Sequence, residues 1–200
     1  MTLDQLLRMS SGLQFSEIYS NPLSNVTKML FSRGDMAAYA ANRSLEEAPS
    51  VHWSYASGTT NILCRVIRQV VGGTDADYFA FPHQALFDKI GMTSAVLEPD
   101  ASGTFVGSSY LYATARDWAK FGQLYLQDGV WNGERLLPKG WVDYSRTPAP
   151  RRPPAAVWRT FLAQGAPVVC LRAIASASNA CGHLYGGGLS GTDFDHYSFP

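Results

Sequence analysis

Ile62, Leu63, Val66, Ile67, Val70 and Val71 recur at the i, i+1, i+4, i+5 spacing that places every one of them on one face of a helix. Gly72-Gly73 ends the run, as a residue free to adopt positive φ does at a helix C-terminus. A stripe this apolar folds only if other elements cover it, so this helix is the centre around which the chain must be arranged. Tyr55-Ala56-Ser57 stands at its foot.

The covering elements read as helices too. Thr2 with Gln5 makes a capping box ahead of Leu3, Leu6 and Leu7, and Ser10-Ser11-Gly12 reads as the turn that ends that helix. Ser24 or Asn25 caps a second helix carrying Val26, Met29 and Leu30, which stops near Gly34. Asp35 opens a third, with Met36, Tyr39 and Ala40 on one face. A further helix runs from Asp75 to Ile90, and Pro82 must kink or divide it because proline lacks the donor and clashes with the preceding turn. Thr114 and Asp117 cap another, with Trp118, Phe121 and Tyr125 as its apolar face and Gly129 as its stop. Asn132-Gly133 predicts a type I′ hairpin over Val130 to Arg135. Leu137-Pro138 and Trp141-Val142 predict one more short helix with proline at its first position. The aromatic residues at 118, 125, 131 and 141 are expected in the core.

Past Thr147 the character changes. Pro148, Pro150, Pro153 and Pro154 surround Arg151-Arg152, and the remainder is Ala, Ser, Gly and Cys with weak periodicity. The expected division is therefore a helical region over 1–147 and a Pro/Arg/Ala/Gly-rich tail over 148–200, poorly ordered or foreign to the rest.

Composition excludes several function classes. Sixteen basic residues balance sixteen acidic ones, so no net field favours nucleic acid or an anionic membrane. No apolar run approaches the ~18 residues of a membrane span. Met1-Thr2-Leu3-Asp4 lacks the basic and apolar regions of a signal peptide, which predicts a cytoplasmic chain as written. Cys64, Cys170 and Cys181 are odd in number and lack a C-x-x-C pair, so they read as free thiols. His52, His83, His183 and His196 have no metal-ligand spacing, and no cofactor or metal is expected. Gly186, Gly188 and Gly191 satisfy G-x-G-x-x-G without the strand and helix a nucleotide site needs.

Four blocks, in order, carry a resemblance. Thr2 to Leu13 is similar to the T-x-x-x-L-L-x-x-x-S-G-L stretch of serine β-lactamase and penicillin-binding-protein-like hydrolases. Trp53-Ser54-Tyr55-Ala56-Ser57-Gly58 resembles their F-x-Y-S-N/S block. Leu86 to Met92 looks like their I-F-x-P-L-G-M, and Ala113 to Gly122 like their S-T-A-x-D-L-A-R-F-G. The nearest branches in style are the esterase-like and 6-aminohexanoate-dimer-hydrolase-like ones, where the Tyr triplet can end in serine. Together the blocks span roughly residues 2 to 147.

The resemblance implies a fold and a chemistry. The fold class is mainly α with a few short strands, the helical portion of the α+β β-lactamase/transpeptidase-like fold with its central antiparallel sheet largely missing. The chemistry is acyl transfer: serine attacks an amide or ester of a small molecule, backbone amides hold the oxyanion, and a lysine–tyrosine pair moves the proton. By carry-over Tyr55 is that proton relay and Ser57 a substrate-binding group. Read locally, Ser57 is equally a helix N-cap. Gly107-Ser108-Ser109-Tyr110 is expected along the same cleft, without a catalytic role.

The departures weigh equally. No serine is followed three residues later by lysine, no lysine by Thr-Gly, and no histidine has glycine two residues on. The S-x-x-K nucleophile and the K-T-G or H-x-G strand are thus absent. Two classes stay open: a serine hydrolase represented by an incomplete chain that is inactive alone, or a non-catalytic remnant or partner-binding module derived from one. An uncovered apolar face in either case predicts self-association.

Overall fold

The computed structural model describes residues 1–147, and the Pro-rich segment expected as a separate tail lies outside them. Seven helices order this region: α1 (Leu3–Leu7), α2 (Asn25–Ser32), α3 (Met36–Ala41), α4 (Ser57–Val71), α5 (Asp75–Pro82), α6 (Ala115–Leu126) and α7 (Trp141–Arg146). The described strands form two short antiparallel ladders and no larger sheet. β1 (Val96–Leu97) pairs with β2 (Leu111–Tyr112), and β3 (Val130–Trp131) with β4 (Glu134–Arg135). The mainly helical class with a few short strands is what the sequence implied.

α4 is the centre, as its stripe demanded. Ile62, Leu63, Val66 and Ile67 are buried against Leu3, Leu6 and Leu7 of α1, Val26, Met29 and Leu30 of α2, and Met36 and Ala40 of α3. Each such side chain contributes about 1.5–3 kcal/mol when removed from water. A second core gathers Leu86, Phe87, Ile90 and Met92 with Phe121, Leu124 and Tyr125 of α6, Leu136 and Leu137 just after β4, and Val142 of α7. Polar contacts tie loops to this frame. Asp100 accepts the Met36 N–H at 2.9 Å, Arg65 on α4 pairs with Asp35 at 2.7 Å, and the Tyr78 hydroxyl accepts the Phe105 N–H at 3.1 Å.

Local chemistry decides most boundaries. Thr2, Ser24, Asp35, Thr74 and Thr114 each accept a first-turn N–H as side-chain caps, so Ser24 rather than Asn25 caps α2. Pro82 closes α5, and the chain continues as a π-helical turn over His83–Phe87, which is how the proline divides the expected long helix. Asn132 (φ 48°) and Gly133 (φ 82°) form the expected hairpin turn.

Three expectations are corrected. α7 begins at Trp141 after a left-handed Gly140, so Pro138 precedes the helix instead of opening it. Trp118 is 38% exposed, set edge-on against Phe121 at the rim of the core, because the α6 stripe runs through Phe121, Leu124 and Tyr125. Ser57 is the first helical residue of α4; the N-cap is Ala56, which has no side chain to offer.

Candidate functional site

The Tyr55-Ala56-Ser57 turn is held from two sides. Met9, itself in the left-handed region at φ 54°, accepts the Ser54 N–H on its carbonyl at 2.9 Å and the Thr59 hydroxyl on its sulfur at 3.0 Å. The Thr59 hydroxyl also lies 2.7 Å from the Ala56 carbonyl. Met9 and Trp53 form a small buried cluster against which the half-buried Tyr55 packs. The segment after α1 thus fixes where Tyr55 emerges.

Opposite Met9 stands Glu17. Its Oε1 accepts the Ser57 backbone N–H across forty residues of sequence. Burial raises the Glu17 carboxyl above its ordinary value, and the hydrogen bond from the Ser57 backbone N–H only partly opposes that. The Tyr19 phenol interacts with both residues, and burial and the Glu17 charge together raise it. Among the described residues no ion pair reaches Glu17.

Ser57 is 1% exposed. Its Oγ and Glu17 Oε2 are both buried and make no hydrogen bond within the described residues. A hydroxyl and a carboxyl oxygen left buried and unpaired at the foot of a fifteen-residue helix are costly unless the site has a use for them. The N-terminal end of α4 also carries the positive end of the helix dipole, which favours developing negative charge beside it. Chemically the arrangement offers a phenol, a hydroxyl and a carboxyl around a positive helix terminus.

Sequence reasoning singled out Tyr55 and Ser57, and the structure places them on one turn. It missed Glu17 and Tyr19, which lie in an unpatterned stretch between Gly12 and Ser24; no local signal in that loop announces a contact with α4. In the Gly107-Ser108-Ser109-Tyr110 loop the Tyr110 hydroxyl donates to the Leu30 carbonyl of α2 at 3.3 Å. Lys89 and Lys120 are engaged with Glu134 at 2.6 Å and Asp117 at 2.7 Å. No group of three or more potential metal ligands occurs among the described residues, and no described helix is long and apolar enough to cross a membrane.

Comparisons with known proteins bear on the family and the fold. A family model described as Beta-lactamase matches residues 1–167, which runs twenty residues past the expected boundary at 147. Twenty-four chains among solved structures match. One is named as a 6-aminohexanoate-dimer hydrolase from Bacillus anthracis; it is 24% identical, superposes with a TM-score of 0.61, and is matched over 72% of this chain and 41% of its own length. The chain thus spans about two-fifths of that relative. No curated protein matches it. With its helical frame, its Tyr-x-Ser turn at the head of the buried helix and a family match over most of its length, the chain belongs to the beta-lactamase family.

Proposed function

We propose that the chain forms part of a serine hydrolase that opens a small amide or ester through an acyl-enzyme, and that it is inactive alone. Tyr55 is the proton relay of that site and Ser57 a substrate-binding group. The observation that carries the reading is the Tyr55-Ala56-Ser57 turn itself, seated at the positive end of α4 with Ser57 Oγ left without an internal partner. A relay tyrosine needs a neighbouring nucleophile to serve. No S-x-x-K occurs in the chain to supply one.

Intact-mass analysis of the folded chain after incubation with a fluorophosphonate or a β-lactam tests this. The expected result is no adduct. A stoichiometric acyl adduct on any serine would overturn the dependence on an outside nucleophile. An adduct that persists undiminished in Tyr55→Phe would overturn the relay role.

One observation favours the second reading, a non-catalytic remnant or partner-binding module. Leu23 just before α2, Phe31 on α2 and Leu126 at the end of α6 are 71%, 74% and 89% exposed, large apolar side chains that a partner or a second copy would cover. That reading expects association of the purified chain, and a monomer across the accessible concentration range in sedimentation velocity refutes it.

A further inference from the structure

α4 is the longest described helix, yet its own sequence gives it no cap. Five other helices carry Ser, Thr or Asp at the N-cap, each accepting a first-turn N–H. α4 has Ala56 there. The Ser57 hydroxyl does not fill the role, and the Thr59 hydroxyl is directed to the Ala56 carbonyl and Met9 sulfur. Four N–H groups at a helix start have no intrahelical acceptor, and leaving one buried and unpaired costs about 1–3 kcal/mol. The acceptor comes from outside the helix, as Glu17 Oε1 on the Ser57 N–H.

Resting on the reading of Tyr55 and Ser57 given above, we propose that Glu17 is a positioning residue: its carboxyl caps α4 from across the fold and holds the Tyr55-Ala56-Ser57 turn in place. This arrangement has a functional consequence. A serine at the N-cap would direct its hydroxyl to the N2 or N3 amide of its own helix. With the first amide satisfied by Glu17, Ser57 sits one position later and its Oγ is left with no capping duty. The same carboxyl fixes the backbone two residues after Tyr55, so the phenol is aimed by a rigid anchor at each end, Met9 before it and Glu17 after it.

Hydrogen exchange and ring resonances of the full chain, read by NMR, test the proposal. Glu17→Gln keeps an acceptor and is expected to leave the Ser57 amide protected. Glu17→Ala is expected to speed its exchange roughly tenfold, the weight of one hydrogen bond, and to move the Tyr55 ring signals while those of Tyr125 on α6 stay fixed. Unchanged Ser57 exchange in Glu17→Ala overturns the proposal, as does equal loss in both variants. If Glu17→Ala does not fold, the wild-type protein still decides: the Ser57 amide proton must titrate with the Glu17 carboxyl carbon at one midpoint, and separate midpoints overturn it. None of these readings depends on acyl-adduct formation, so failure here and failure of the proposed function are separate results.

Discussion

Gly58 is the most stringent test of how α4 seats against α3. A β-carbon added there would lie 2.6 Å from Phe15 Cε2 and 2.9 Å from Ala40 Cβ, against the roughly 3.5–4.0 Å of a relaxed carbon contact. Ala40 is 1% exposed and its Cβ has no torsion by which to move away. Helix propensity argues the other way, since Gly→Ala in a helix gains up to about 1 kcal/mol. Overpacking costs about 1–3 kcal/mol, so the net for Gly58→Ala is a loss of roughly 1–2 kcal/mol. For a chain of this size that lowers Tm by about 2–8 °C. Gly122 in α6 is the control, because nothing lies within 4 Å of the position its β-carbon would take. Gly122→Ala is expected to stabilise by roughly 0.5–1 kcal/mol. Urea unfolding followed by far-ultraviolet circular dichroism measures both. If the two substitutions shift the midpoint in the same direction, the close approach of α3 to α4, and the placement of the Tyr55 turn that depends on it, is wrong.

Tyr144→Phe removes the 2.6 Å hydrogen bond to Asp4 that ties α7 to α1 while keeping the ring under Arg8; a loss of about 1.5–3 kcal/mol is expected in the same urea assay, and no change refutes it. Asp117 is held down to about 2 by Lys120 and by the Ser94 hydroxyl and N–H. Its contribution is therefore present above the usual carboxylate range and lost as pH falls toward 2, so Asp117→Asn narrows the acid-side decline in the urea midpoint and leaves a gap from wild type that closes at low pH. Glu17 has the opposite sign. Burial raises it, so ionisation opposes folding as pH rises from about 4 through its elevated value, and Glu17→Gln gains on wild type over that rise. A flat difference between the two proteins across those pH values refutes the assignment.

The legible parts of this fold are those where a few adjacent residues carry the cause. Thr2 with Gln5, Asp35 and Thr114 announce helix starts because capping is a bond over three residues, and the structure contains each of them. Asn132-Gly133 announces a hairpin because only such residues accept its backbone angles. Where the cause is distant, local reading failed. The spacing of Trp118, Phe121 and Tyr125 puts all three on one apolar face of α6, but the core formed with Leu136 and Leu137 takes Phe121, Leu124 and Tyr125 and leaves Trp118 at its rim. Pro138 fits a helix start by its fixed φ, but the left-handed Gly140 moved that start to Trp141.

The sequence by itself determined the buried helix, its stop at Gly72-Gly73, the tyrosine at its foot and the absence of an S-x-x-K nucleophile, since each is a matter of spacing along the chain. Only the tertiary structure decided that Ala56 is the cap position, that Ser57 is buried with a free hydroxyl, and that Glu17 is the acceptor below it. A helix terminus must satisfy its first amides with whatever acceptor lies nearest in space. When the residue before the helix is alanine, nothing in the local sequence says which acceptor that will be.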